Sequence, residues 1–410
     1  MPHATLPAPA DISSEWAATL AQTRAVPFYE RPDWAQTLCQ DGVKLTDLPR
    51  LTKQELRVHS PEGFLPRQFS LASLTAQGLI EEERTSGTSG ASVRVVFGRT
   101  WWAEQEARAL LKNAFIKTLL TAEPGARRAV FTTPGCSGVS CFARWLSVEQ
   151  RTLGSTLYVN QERLPFSLPE AKLGKMAEET ATWAPAFLDA DPVHGMWFAL
   201  YCERQGLTFP SLRFVLTSYE YTSVVHRRIM ERVFGVPVIN LYGSSETGHL
   251  LIEQKDVVSR ASRATATLEL VDTDTRGVGQ FIVTTHTNPY LPLLRYEIGD
   301  FAEASGEGYI VHGRIRDALH RADGTIATTR QVDALFADLN DVAHYQVRQG
   351  SSGETEVFLM PVRINDGLAA TSKFLASRLG ELLGDTIKVR TGVLIAPEDS
   401  GKFRLTVRLG

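Results

Sequence analysis

The first thing this 410-residue chain lacks is cysteine: it has four, Cys39, Cys136, Cys141 and Cys202. Cys136 and Cys141 are close in sequence, but no second Cys/His pair at zinc spacing accompanies them. Reduced, buried thiols are therefore expected rather than a disulfide framework. Charge of one sign is also missing, since 43 Lys and Arg face 46 Asp and Glu for a net charge of -3. That balance gives no footing for nucleic acid, and no dense Lys/Arg run points to a membrane surface. No segment reaches the ~18 uninterrupted apolar residues of a membrane span. The opening Met1-Pro2-His3-Ala4 lacks the charged-then-apolar layout of a signal peptide, so a cytoplasmic location is expected. No G-x-x-x-x-G-K-[ST] loop and no G-x-S-x-G elbow occur, which disfavours a P-loop NTPase and a serine hydrolase.

What is present is an ordinary globular composition, 43% hydrophobic and 22% charged, in a chain long enough for two or more domains. The first ~80 residues read as helical with Pro-punctuated loops, and Thr52-Lys53-Gln54-Glu55 reads as a capping box. Val93 to Phe97 alternates like a strand, so the glycine-rich stretch before it joins two strands as a hairpin. Trp101 to Leu120 has helical periodicity. Strands are expected at 129–133, 156–159, 212–217 and 236–242, with a helix over 223–234. Strands alternating with helices predict an α/β sheet with crossovers. From about Thr265 the texture changes to short strands and Gly-rich turns, a small β subdomain. After Gly313 roughly 95 residues have the size of a small α+β domain, with helices at 332–339 and 372–383 and strands at 354–359, Lys388 and Phe403.

Five patches carry chemistry. Arg84-Thr85-Ser86-Gly87-Thr88-Ser89-Gly90 interleaves hydroxyls with glycines, which lets backbone N–H groups turn inward around a polyphosphate. Leu241-Tyr242-Gly243-Ser244-Ser245-Glu246-Thr247 ends a strand with an aromatic, small residues and a carboxylate. Leu294 to Asp300 places an aspartate directly after Gly299. His312-Gly313-Arg314-Ile315-Arg316-Asp317 is a charged turn. Ser400-Gly401-Lys402-Phe403-Arg404 sets a lysine before a terminal strand. Each alone also fits a plain role: a solvated turn, a helix cap or a surface charge.

In this order, the five patches resemble the adenylate-forming superfamily of acyl-CoA synthetases, adenylation domains and luciferases, in particular its phenylacetate–CoA ligase-type branch. The glycine loop resembles R-T-S-G-T-T-G, residues 242–246 resemble Y-G-x-[ST]-E, 295–300 resembles Y-R-T-x-D, Gly313-Arg314 with Asp317 resembles G-R-x-D-D, and Gly401-Lys402 resembles the C-terminal G-K. Thr217-Ser218-Tyr219-Glu220 resembles the loop, often G-A-E, that precedes the Y-G turn. Leu48-Pro49 with Thr52-Lys53 and Leu56-Arg57 is similar to L-P-x-x-T-K-x-x-L-R. The resemblance spans about residues 28–405.

This resemblance implies an N-terminal adenylation core over 1–312, made of α/β subdomains and a small β subdomain, and a mobile C-terminal domain over 313–410. It implies ATP-dependent activation of a carboxylic acid to an acyl-adenylate, with Mg²⁺, followed by transfer to CoA. A carrier-protein thiol or an amine is the alternative acceptor, and a nucleotide-binding sensor that has lost the second step is the rival from another class. Ser86, Gly87, Thr88, Ser89 and Gly90 would hold the β/γ-phosphates. Tyr219, Glu220, Tyr242, Gly243, Ser244 and Ser245 would belong to the ATP site, with Tyr242 against adenine. Asp300 would accept from the ribose hydroxyls, Arg314 would fix ribose and phosphate, and Glu246 would hold the metal. Lys402 would bridge the carboxylate and the α-phosphate. Arg316 and Asp317 would form the hinge.

Three departures from the pattern stand out. Gly90-Ala91-Ser92 replaces Gly-Lys-Pro, so the loop lysine is missing. Arg316 stands where the first hinge aspartate is expected. Glu253-Gln254-Lys255 carries no cysteine, so no structural zinc is expected after the Y-G turn. For the acid, Phe131, Pro134, Gly135, Cys136, Ser137, Tyr219, Gly243, Ser244 and His249 are the candidate lining, fit for an aryl or medium apolar acid. Oligomeric state is left open, a homodimer included.

Overall fold

The structure, a computed structural model, describes residues 14–40, 42–85, 92–131, 146–159, 164–255, 257–351, 354–363, 368–392 and 394–409. Ser86 to Ala91 and the pocket candidates Pro134, Gly135, Cys136 and Ser137 lie outside the described residues. The chain folds as two units, one of Met1–Lys117 with Tyr242–Val311 and one of Thr118–Leu241 with His312–Gly410.

The first unit begins with short helices, of which Lys53–His59 starts at the expected capping box. Thr52 Oγ1 accepts from the Glu55 amide and the Glu55 carboxylate accepts from the Thr52 amide at 3.0 Å. Strands Ile80–Arg84 and Arg94–Gly98 pair antiparallel, as the hairpin reading requires. The β part runs as an antiparallel series through Ala266–Val271, Val278–Thr285, Tyr296–Ser305 and Gly308–Arg314. Buried Phe28, Tyr29, Trp34, Phe64, Leu293 and Tyr296 make its core. Arg295 sits there in the left-handed region (φ 47°) with its guanidinium donating to the Thr46 and Leu48 carbonyls and to Glu269. The expected helix over 101–120 is instead two, Trp101–Leu110 and Ala114–Ala122. Asn113 makes the break, because its side-chain oxygen accepts from the Ile116 amide while its amide group donates to the Glu253 carbonyl.

In the second unit the strands Val238–Ser244, Phe214–Thr217, Phe187–Ala190, Arg128–Phe131 and Thr156–Tyr158 lie side by side and parallel. Helices Glu170–Trp183, Pro192–Gln205 and Val224–Phe234 connect or flank them. Their apolar runs are continuous rather than alternating, as expected where both sheet faces are covered. The strand at 187–190 was not foreseen: it is four residues long and includes Asp189, which is fully buried and paired with Arg128.

Residues 312–410 add a four-stranded sheet in the order Ile387–Thr391, Thr355–Pro361, Val342–Gln349, Thr406–Arg408, with helix Ala369–Leu383 packed on it. Within this unit one apolar cluster joins Val225, Ile229 and Met230 to Phe336, Tyr345 and Leu375. Polar contacts fix the register. Asp333 accepts from Ser223 Oγ at 2.5 Å, from the Val224 amide at 2.9 Å and from the Tyr345 hydroxyl at 2.6 Å. Arg228 donates to the carbonyls of Phe336, Ala337 and Leu339. Those carbonyls are therefore turned outward, and the helix expected at 332–339 is a short Thr329–Asp333 helix followed by a 3-10 turn. The strand expected at Phe403 is Thr406–Arg408 instead.

His226 Nε2 and His344 Nδ1 lie 3.0 Å apart and both rings are buried. Burial pushes both pKa values down, His344 to about 3. The unfolded chain takes up protons near the ordinary histidine value of about 6.5 while the folded pair does not. Stability therefore falls as pH drops from about 6.5 towards 3, by up to about 1.4 kcal/mol per pH unit per histidine. We expect urea midpoints of His344→Gln to depend less steeply on pH than wild type between about pH 7 and 5. Parallel pH profiles would show that the pair does not couple folding to protons.

Candidate functional site

In the first unit the turn after Val238–Ser244 gathers the expected residues. Gly243 is obligatory, because a Cβ there would run into the Gly248 carbonyl. The Tyr242 hydroxyl donates to Asp300 Oδ2 at 2.6 Å, and Asp300 is buried. Gly299 precedes it with φ 88°, a conformation that favours glycine. Ser244 Oγ and Thr247 Oγ1 lie 3.0 Å apart, and Ser245 Oγ is 3.4 Å from Glu83 Oε1. The His249 ring meets Trp102 edge-to-face at 5.1 Å.

Glu246 is 4% exposed and its Oε1 contacts Lys53 Nζ at 3.0 Å and the Tyr296 hydroxyl at 3.2 Å. Burial alone would raise its pKa, but Lys53, backbone and Ser244 together hold it below the usual carboxylate value. It is thus an enclosed carboxylate that stays charged. Among the described residues no group of three or more His, Cys, Asp or Glu is placed to hold a metal alone. A lone anionic carboxylate suits a divalent cation that takes its remaining ligands from phosphate oxygens and water.

In the second unit Lys402 sits on a tight turn. Gly401 has φ 84° and its amide donates to the Glu398 carbonyl at 2.8 Å, while the Glu398 amide donates to the Lys402 carbonyl at 2.9 Å. The neighbouring Arg404 donates to Asp317 and, at 3.1 Å, to Glu398. Arg316 contacts the same two carboxylates, each at 3.4 Å. The two hinge candidates are therefore joined to the lysine turn through Arg404 and Glu398. Arg314 ends the strand Gly308–Arg314. Tyr219 has φ 76° and its hydroxyl lies 3.5 Å from Asp189 Oδ2. Glu220 Oε2 accepts from the Phe403 amide at 2.6 Å. Phe131 is fully buried against Phe198 at 4.6 Å, a core position.

Sequence reasoning missed Lys53 as the partner of Glu246, although the residue belongs to a quoted motif. It also missed Tyr296, Glu398 and Arg404. Tyr296 and Arg404 lie within or beside quoted runs, but only their folded neighbours assign them a task.

No protein-family model matches the chain. The phenylacetate-coenzyme A ligase of Thermus thermophilus is 26% identical over 368 residues, covering 81% of this chain and 76% of the relative. Among solved structures, a 2-hydroxyisobutyryl-CoA ligase in the postadenylation state matches with TM-score 0.69 at 15% identity, covering 100% of this chain and 94% of that one. The chain is thus similar in sequence to a CoA ligase and shares the fold of CoA ligases. The anthranilate CoA ligase AuaEII with bound anthranoyl-AMP also matches, with TM-score 0.58 at 12% identity, covering 79% of this chain and 64% of that one. The α/β fold expected from the alternation of strands and helices is the fold of these structures.

The Arg404 network is testable on stability alone. Arg404→Ala removes a partner from mostly buried Asp317 and Glu398, and we expect a loss of about 3 kcal/mol in urea unfolding. An unchanged midpoint would mean the network contributes nothing to folding.

Proposed function

We propose that the protein joins a carboxylic acid to the AMP moiety of ATP, releasing pyrophosphate, and then passes the acyl group to the thiol of CoA. An acid oxygen bonds to the α-phosphorus as the bond to the pyrophosphate oxygen breaks. The thiolate sulfur then bonds to the acyl carbon and AMP leaves. One observation carries the reading: the buried Asp300 carboxylate held by the Tyr242 hydroxyl. A fixed carboxylate beside an aromatic plane suits a nucleoside, with the acid accepting from ribose hydroxyls and the ring lying on the base.

Glu246, kept ionised, would hold Mg²⁺, which when bound neutralises phosphate charge. Lys53, beside Glu246, brings a cation that the glycine loop lacks at Ala91. Lys402 offsets the charge that grows between the attacking carboxylate and the α-phosphate. Residues 313–410 would move between the two half-reactions. The relative's name, phenylacetate-coenzyme A ligase, supports an aryl acid. The paired rings of His249 and Trp102 fit an aryl or medium apolar acid as well.

Pyrophosphate release with ATP, Mg²⁺ and a panel of aryl and aliphatic acids, with and without CoA, tests this. Acid-dependent release with thioester formed is expected. Release without thioester would move the acceptor to a carrier-protein thiol or an amine, and ATP binding with no release would favour a nucleotide sensor. Lys402→Ala should lower release by about a hundredfold or more with ATP binding intact. Asp300→Ala should weaken ATP binding by roughly 10- to 150-fold, the effect of losing hydrogen bonds to a charged group. Glu246→Gln should shift the Mg²⁺ titration to higher concentration, and a superimposable titration would remove that role.

A further inference from the structure

Glu220, which the resemblance groups with the ATP site, bonds to the chain beside Lys402 in the second unit, and Asp191 lies next to it. Asp191 is 1% exposed and caps the helix Pro192–Gln205, with Oδ1 accepting from the Val193 and His194 amides at 3.0 and 3.3 Å. The Glu220 carboxyl lies within hydrogen-bonding reach of Asp191. Among the described residues, Glu220 Oε1 and Asp191 Oδ2 are both shut off from solvent with no donor supplied by another group. Two neighbouring carboxylates in such surroundings do not both ionise. One proton between them turns an oxygen into a donor and satisfies both. Two helix amides already point at the Asp191 carboxyl, whereas Glu220 Oε1 has no such donor. The proton therefore rests on Glu220.

The other Glu220 oxygen, Oε2, accepts from the Phe403 amide at 2.6 Å across 183 residues of sequence. The Phe403 ring packs against Phe166 and His344, with centroids 5.4 and 5.5 Å away. On its other side Lys402 is held by its own turn, through Glu398 and Ser400. Gln346 fixes the Arg404 carbonyl to the C-terminal sheet. Glu220 thus supplies a directional bond from the strand end at Thr217 to the lysine-bearing loop.

We propose that Glu220 is a positioning residue that works in its neutral form, donating to Asp191 and accepting from the Phe403 amide so as to fix the loop that presents Lys402. This rests on the reading of Lys402 as the lysine of acid activation. Burial and then Asp191 push the Glu220 pKa up, while the Phe403 amide and Lys402 act the other way. Neutrality has a sharp consequence. Glu220→Gln keeps both bonds, its amide group donating to Asp191 and its oxygen accepting from Phe403, whereas Glu220→Ala keeps neither.

The experiment compares wild type, Glu220→Gln, Glu220→Ala and Lys402→Ala by hydrogen exchange of the peptide covering 398–405. It also measures acid-dependent pyrophosphate release, with thermal midpoints as a check on folding. Expected for Glu220→Ala are exchange at the Phe403 amide faster by about tenfold or more and kcat for release lower by about tenfold. Glu220→Gln should match wild type in both. A Gln variant as impaired as the Ala variant would show that the charge is required and overturn the neutral form. Unchanged exchange in Glu220→Ala would overturn the tether. Faster exchange in Glu220→Ala with full activity in Lys402→Ala would uphold the tether and sink the reading of Lys402, so the two failures are distinct.

Discussion

Asp333 decides where the last hundred residues of the second unit lie. Its carboxylate is buried and spends both oxygens on three donors, two of them at the start of the helix Val224–Phe234. A buried acceptor without these donors would be costly, so the contact has one register and no near-equivalent. Arg228, one turn further along that helix, repeats the constraint through three carbonyls. The strand Val342–Gln349 carries Tyr345 to Asp333 and, along the same strand, Gln346 to the Arg404 carbonyl. The position of the lysine turn therefore depends on a carboxylate that takes no part in the chemistry.

The same division between bearing groups and reacting groups runs through the first unit. Asp300 and Glu246 are enclosed acids, each given a hydroxyl partner by a tyrosine, Tyr242 for one and Tyr296 for the other. A tyrosine hydroxyl fixes the carboxylate in orientation and brings no charge of its own, whereas an arginine would bring one; at Glu246 the cation comes from Lys53. Arginines pair instead with Glu269, Asp317 and Asp189.

Much of this was legible in sequence because it is local. The capping box at Thr52, the paired strands Ile80–Arg84 and Arg94–Gly98, the parallel strands and the order of motifs all rest on short-range pattern. The breaks were not legible, because distant partners cause them. Asn113 ends a helix on account of Glu253, and the helix after Thr328 stops where Arg228 takes its carbonyls. The candidate site has both kinds of residue. Tyr242, Glu246, Asp300 and Lys402 came from motif spacing, but that spacing is silent on Lys53 beside Glu246 and on the Glu220 bond to Phe403, which cross 193 and 183 residues.

Gly243 limits how this protein can diversify. Any side chain there meets the carbonyl of Gly248, and a side chain at Gly248 (φ 70°) would meet Trp101 in turn. The backbone is locked on both sides, so the floor beside the Tyr242–Glu246 turn cannot be raised or lowered by point substitution. If the acid lies there, relatives that take smaller or larger acids must differ at side chains that stand clear of this lock, such as His249 and its ring neighbour Trp102. Directed evolution of acid preference would then begin from that aromatic pair and leave the glycines untouched.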